Sequence, residues 1–556
     1  MTTFNKNKLS SIISKDFKEK YDISSSPADI MSIPFDEQVH VIGMVLSRTG
    51  VYVSLPENFK VDEHIANFPP ESNGFKSSLK TFDKDKICHL LSLLSSIPAS
   101  NKDLIVEDGF VPVNAEALNK YMTDYAAYLG YLMTTNVVEW KDDGVYSDGR
   151  SRRYRWKEPY FSAKFIKVHT PKYGKLIQQG KIRTVEQFKR EVREAVSNYP
   201  SYLTYWYNQN RLKLDTEQAS NYAFALKNHK LAQGVESWDW NKDKSCPKHP
   251  QNQYMAIMEN IHSISDENND YKVLIDDHVH RLHSVLTNMQ KDYRNFLTYD
   301  NQPLVSIDIK NSQPYLSCVL FYPEFWSNNS TLNLNLNMLP QNIIDSIRFR
   351  PPRRSARPIT VALNNFFRNL EGHEFDTYKS IVSSGEMYET IMRWIQEETG
   401  ETIEREYAKT TMFRLFFSPN RTNPEDENHW LISYYKDKFP KVAELFKIIK
   451  KQYQGINEEK QHGRLACLLQ SVESEIILHR CCKRIWEEGN QQIPVFTIHD
   501  SIATTVEHQE YVKGVMEEEL TKAIGLEPSL DTEIWHISNL LETGGEPAPY
   551  FNPPVF

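Results

Sequence analysis

The chain is short of cysteine, of long apolar runs and of positive charge, and each shortage narrows what it can be. Its six cysteines, at positions 88, 246, 318, 467, 481 and 482, form no paired CxxC spacing, so no structural zinc site is expected. Cys246-Pro-Lys-His249 is metal-like in composition but lacks a second pair at finger spacing. No apolar run approaches the ~20 residues of a membrane helix, and the polar N-terminus carries no secretory pattern. The expectation is a cytoplasmic protein with reduced thiols and no membrane partner. Internal repeats are lacking too. At 556 residues, 40% hydrophobic and 25% charged, the chain has ordinary globular composition and room for three or more domains.

Lysine and arginine total 65 against 73 aspartates and glutamates, a formal net charge of -8. That balance argues against a uniformly basic nucleic-acid binder, but local distribution matters more than the sum. Basic residues gather at Arg150-Ser-Arg-Arg-Tyr-Arg-Trp-Lys157, Lys181-Ile-Arg183 and Arg348-Phe-Arg-Pro-Pro-Arg-Arg-Ser-Ala-Arg357. Acidic residues gather at Glu425-Asp-Glu427 and Glu517-Glu-Glu519. Basic grooves within an acidic exterior can hold phosphates without a basic total.

Two segments carry the chemistry. Leu304-Val-Ser-Ile-Asp-Ile-Lys-Asn-Ser-Gln-Pro314 is a β-rich apolar run that gives way to polar residues just after Asp308, and Thr497-Ile-His-Asp-Ser-Ile502 presents Asp500 in the same manner. Taken singly, an Asp closing a strand is more often a turn former. As a pair on adjacent strands, the two carboxylates would repel unless a cation lay between them. Two Mg²⁺ ions about 3.5–4 Å apart are the cations that suit hard oxygen ligands and in-line phosphoryl displacement.

A third segment, Arg405-Glu-Tyr-Ala-Lys-Thr-Thr-Met-Phe-Arg-Leu-Phe-Phe-Ser418, repeats Arg405, Lys409, Phe413 and Phe417 every four residues, which on a helix makes one face. Two cations followed by two rings suit a triphosphate and a base. The alternative is an amphipathic helix with both Phe residues in the core and the cations at its edge.

Together these segments resemble motifs A, C and B of family A DNA polymerases and of the single-subunit phage-type RNA polymerases. Two further segments strengthen the resemblance. Arg281-Leu-His-Ser-Val-Leu-Thr-Asn288-Met-Gln290 is similar to the family's primer-template segment, and Leu469-Gln470-Ser-Val-Glu-Ser-Glu475 to the helix that precedes motif C. A shorter stretch, Gly385-Glu-Met-Tyr388-Glu-Thr-Ile391, is similar to the opening of a fingers helix. The resemblance covers roughly residues 276 to 540. It implies an α+β right-hand fold of palm, fingers and thumb, with DNA primer-template and nucleoside triphosphates as partners and two Mg²⁺ as cofactors.

Residue by residue, the resemblance assigns Asp308, Asp500 and the backbone carbonyl of Ile309 to the metals, and Arg405 and Lys409 to the triphosphate. Phe413 and Phe417 fall to the nascent base pair. Arg281, Asn288, Gln290 and Gln470 fall to the primer-template, and His499 to the primer terminus. Phe417-Ser418 replaces the family's Tyr-Gly, which keeps a stacking surface but removes a phenol. At the position where the DNA enzymes carry a sugar-discriminating Glu stands Gln313, long enough to crowd a ribose 2′ position, and deoxynucleotides are the expectation. Thr497-Ile-His-Asp-Ser-Ile-Ala-Thr504, by contrast, is closer to the RNA-polymerase form of motif C. No acidic exonuclease constellation precedes the palm, so proofreading is not expected.

The expected organisation assigns no role to residues 1–75, with one β-like run at Val39 to Leu46. In 76–165, helices around Ile87–Leu94 and Ala115–Leu132 lead through Val137-Val-Glu-Trp140 and a turn at Asp142-Asp-Gly144 into Ser151-Arg-Arg-Tyr-Arg-Trp156. Helices followed by a basic hairpin resemble a winged helix, with a helical domain bearing a surface hairpin as the alternative. Residues 166–275 read as mostly helical, including a helix over Val185–Val196, and take the thumb's place. Residues 276–340 form the first part of the palm, with an Asn-rich insertion at 328–337. Residues 341–450 form the fingers and 451–556 the rest of the palm. The favoured activity is a DNA-directed DNA polymerase. The alternatives are an RNA-synthesising primase or transcriptase, and a DNA-binding replication factor without catalysis.

Overall fold

The computed structural model describes residues 51–76, 82–100, 109–119, 122–141, 151–170, 199–209, 211–240, 246–264, 273–327, 333–348, 359–369, 374–418, 420, 429–450 and 463–540. The β-like run at 39–46, the turn at 142–144, the helix at 185–196 and the acidic 425–427 lie outside them, as do residues 328–332 and most of the basic segments at 181–183 and 348–357.

The architecture is α+β. Gln302–Ile309 is the centre of a six-stranded antiparallel sheet, with Ser501–Thr505 on one side and Leu530–Trp535 on the other. Phe496–Ile498 lies outside Ser501–Thr505. At its start the central strand forms a hairpin with Leu297–Tyr299, which pairs in turn with Leu212–Leu214. That hairpin turns through two residues, Asp300 and Asn301, both at positive φ (49° and 63°). Such a turn has a twist matching that of its strands, and Asp and Asn tolerate it well. Leu304, Val305, Ser306 and Ile307 are all buried, as a strand covered on both faces requires. The helix Gln509–Ile524 packs against the sheet, and Gly463–Ser474 runs on through a π-helical stretch, Glu475–Cys482, into Lys483–Glu488.

The elements described within 341–450 are all helices, and the Arg405–Phe417 helix packs against Met387–Thr399, His429–Lys438 and Gly463–Ser474. Gly385, at φ +80°, lets the chain turn before Met387–Thr399; a Cβ there would lie 2.9 Å from Lys310 Cδ and 2.8 Å from Ser529 Oγ. This close approach sets the helical region against the loop that follows Asp308.

In the N-terminal part, Lys84–Ser100, Val111–Val113, Ala115–Asn119, Tyr125–Thr134, Val138–Trp140 and Arg152–Trp156 follow in order, with the last strand between the other two. The single helix expected over 115–132 is therefore two. Asp124 precedes the second in a non-helical conformation, and its carboxylate receives Lys86 Nζ at 2.8 Å. In 166–275, Pro250–Ile264 packs on both Lys84–Ser100 and Thr216–Gln233. All six cysteines are unpaired thiols. Among the described residues, no helix is long and apolar enough to cross a membrane.

Candidate active site

Asp308 sits on the central strand directly across from Ser501 and, on the other side, from Asp531. The strands Phe496–Ile498 and Ser501–Thr505 are joined by a two-residue turn, His499-Asp500, with His499 at φ 56°. Asp500 is thus one residue from the partner of Asp308, which places both carboxylates at one end of the sheet.

The electrostatics at this end are unbalanced. Asp308 is held well above the usual carboxylate range, first because dense protein around it removes hydration, then because Asp500 and Asp531 lie near; Lys291 opposes this. Its residue surface is nonetheless exposed, as befits a group at the wall of a crevice. Asp500 is also raised, chiefly by burial, with the Ser312 hydroxyl, Arg281 and Lys409 acting in the opposite sense. Like charges on neighbouring strands cost stability unless a cation joins them.

Ser312 owes its place to Asn311, which turns the chain at φ 51° and precedes the short helix Ser312–Ser317. Lys409 comes from the opposite wall, on the helix Arg405–Phe417. That helix buries Ala408, Thr411, Met412, Leu415 and Phe416, leaving Arg405, Lys409, Phe413 and Phe417 on its less buried side. Both Phe residues expected for a nucleotide are half-buried, Phe417 packing against the core, and they stack at 5.6 Å between ring centroids. Arg405 is paired with Glu389 at 2.5 Å and lies over Tyr388, so it must exchange partners to reach a triphosphate. Tyr388 is buried and feels both Arg405 and Asp500.

The remaining candidates divide. Arg281 and Gln313 meet on Glu473, a residue of the helix before motif C to which the sequence assigns no role. Glu473 is 1% exposed and accepts hydrogen bonds at Oε2 from Arg281 Nη2 at 2.6 Å and Gln313 Nε2 at 2.8 Å. Burial first, then Asp500, pushes its carboxyl up to about 8, with Arg281 opposing and Asp308 adding a smaller push. Gln470 lies three residues earlier on the same helix, so it shares the face of Glu473; that spacing was the available signal. His499 packs edge-on against His283 at 6.2 Å between ring centroids. Asn288 and Gln290 are exposed at the end of the short helix Val285–Asn288. Ile309 is buried.

Among the described residues, no group of three or more His, Cys, Asp or Glu side chains is placed to hold a metal ion. The donors at the sheet end are a pair of carboxylates, a set that suits Mg²⁺, an ion usually bound by one or two carboxylates together with substrate phosphates.

No family model matches the chain, and no curated protein matches it. Solved structures do match, among them the POL domain of Pol1 from M. smegmatis in complex with DNA primer-template and dNTP. That match has 11% identity and a TM-score of 0.31, over 66% of this chain and 75% of the other. A likeness of that size carries no argument about function, which rests on the residues described above.

Proposed function

We propose that the protein is a template-directed nucleotidyltransferase of the family A type, adding deoxynucleotides to a primer 3′ end without proofreading. The observation that supports it most is the convergence of Asp308 and Asp500 at one sheet end, short of countercharge and faced by Lys409. In this reading the sheet is a palm, residues 341–450 are fingers, and the thumb lies within 166–275. Asp308, Asp500 and the Ile309 carbonyl would hold two Mg²⁺, which when bound supply charge neutralisation and an acidified hydroxyl.

The chain's own residues supply positioning and electrostatics. Lys409 draws the triphosphate toward the carboxylates, and Arg405 joins it once released from Glu389. Phe413 and Phe417 give the nascent base pair a flat support. Ser312 holds Asp500 in orientation. Attack of the primer hydroxyl on the α-phosphate, with pyrophosphate leaving, is a reaction in which placement and charge stabilisation do most of the catalysis. DNA primer-template and nucleoside triphosphates are the partners.

The test is extension of a labelled primed template with Mg²⁺ and either dNTPs or NTPs, beside Asp500→Asn and reactions lacking primer or template. Templated growth with dNTPs, lost in the variant, supports the proposal. Growth with NTPs alone, or without a primer, moves the protein to the RNA-synthesising class. Residual activity of Asp500→Asn above about a tenth of wild type rejects the assignment of the site.

A further inference from the structure

Three polar groups meet under the carboxylates, and each has an atom left over. Glu473 Oε2 takes both hydrogen bonds, from Arg281 and Gln313. Glu473 Oε1, Gln313 Oε1 and Arg281 Nε are all buried and have no hydrogen-bond partner. Leaving one such group unsatisfied costs about 1–3 kcal/mol, so three in one cluster mark an arrangement kept for a purpose other than stability.

We infer that Glu473 is a positioning residue for nucleotide sugar selection, holding Gln313 and Arg281 in one fixed arrangement beside the sugar of the incoming nucleotide. This rests on the nucleotidyltransferase reading. A nucleotide whose α-phosphate lies at Asp308 and Asp500 has its sugar next to that phosphate, within reach of groups adjoining the two aspartates. Gln313 is such a group. It lies on the helix Ser312–Ser317 immediately after the Asp308 strand, one residue beyond the Ser312 that binds Asp500. A Gln amide is free to rotate and to present either its oxygen or its nitrogen. Glu473 removes that freedom, because its Oε2 accepts from the Gln nitrogen whether the carboxyl is ionised or carries its proton on Oε1, and so holds the amide oxygen on the other side.

Glu473 performs this from a helix that Gln313 does not belong to, 160 residues away in sequence. Its placement is supported by Arg281, whose guanidinium offsets part of the charge, and by the change to π-helical winding two residues later. Such local rewinding is frequent at functional sites.

The test compares wild type with Glu473→Ala, Glu473→Gln and Gln313→Ala for single-nucleotide insertion, taking the ratio of kcat/KM for dNTP to that for NTP, with thermal denaturation of each. The inference predicts a drop of roughly tenfold in that ratio for Glu473→Ala, the scale of one lost buried hydrogen bond. Gln313→Ala should show the same drop, the double variant should show no more than either single one, and Glu473→Gln, which keeps an acceptor, should recover part of it. A ratio unchanged in Glu473→Ala and Gln313→Ala, with only the melting temperature lowered, overturns the inference while leaving the polymerase reading standing. Full insertion activity in Asp500→Asn, or none in wild type with either nucleotide, removes the polymerase reading and the inference together. If Glu473→Ala does not fold, Glu473→Gln and Gln313→Ala decide the matter.

Discussion

Two sheets in this chain treat charge in opposite ways. Around Arg155, on the strand Arg152–Trp156, three partners absorb charge: Glu139 on the neighbouring strand pairs with it at 2.5 Å, and the rings of Phe110 and Phe161 sit 4.5 and 5.2 Å from its guanidinium carbon. Around Asp308 the reverse holds, since the residue across the sheet is Asp531 and the nearest turn offers Asp500. The first sheet uses its charges for cohesion. The second leaves them short of a partner, an arrangement of negative charge that suits a cation rather than cohesion.

That contrast also bears on the N-terminal region. Its order of helices and strands is that of a winged helix, yet the helix in the position that would enter a groove reads Tyr125-Ala-Ala-Tyr-Leu-Gly-Tyr-Leu-Met-Thr134 and carries no cation, while Tyr128, Leu129, Tyr131 and Leu132 are buried. Reading of base edges relies on Arg, Lys, Asn or Gln, and this helix offers none. The basic strand beside it spends Arg155 on internal contacts and lays Arg152 over Trp140 at 5.4 Å. A structural role for this unit is the reading these residues favour.

The comparison can be broken in four ways, from the largest effect down. Asp308→Asn or Asp500→Asn should abolish nucleotide addition, by more than a hundredfold, while raising the melting temperature measured without divalent ions, because one of two repelling charges is gone. Mg²⁺ should then raise the melting temperature of wild type and leave that of the variants nearly unchanged, as expected when an ion binds only the folded wild-type site. Lys409→Ala should lower kcat/KM for the nucleotide by roughly a hundredfold, the scale of losing a fixed positive group at a developing charge, with little change in stability. Arg155→Ala should do the opposite, costing about 1–2 kcal/mol of stability through lost ring and ion-pair contacts while leaving turnover per folded molecule intact.

The smallest effect lies at a third place, where a cation is buried without an acid. Lys450 is 5% exposed and donates to the carbonyls of Leu415 and Ser418, the latter at 3.0 Å, closing the C-terminal end of the Arg405–Phe417 helix. Burial, then Lys436, depresses its amine to about 7. The unfolded chain holds that proton up to the ordinary lysine range, so folding releases it, and stability should climb as pH rises from about 7 towards 10.5 and fall again as pH drops through 7. Lys450→Met should flatten that slope in chemical denaturation measured across the interval.

How much of this could be read beforehand follows from range. The Asp308 strand, the His499-Asp500 turn and the Arg405–Phe417 face each depend on residues close in sequence, and alternation or a four-residue step was enough to place them. Glu473 and Asp531 depend on pairings across the whole fold. Within Ser471-Val-Glu-Ser-Glu475 two glutamates compete, and only the packing of the helix against Ser312–Ser317 decides that Glu473 turns inward. Asp531 is set across from Asp308 by a strand register that no local pattern announces. The strand Leu212–Leu214 joins the edge of the central sheet from a stretch expected to be helical, because three residues between turns carry too little periodicity to signal a strand.

The most direct test of the central claim is single-turnover insertion of one templated dNTP on a labelled primer with Mg²⁺, comparing wild type with Asp308→Asn and Asp500→Asn of matched folding. The account predicts insertion by wild type and no measurable product from either variant. Equal insertion by all three, or none by wild type under any nucleotide, would contradict it.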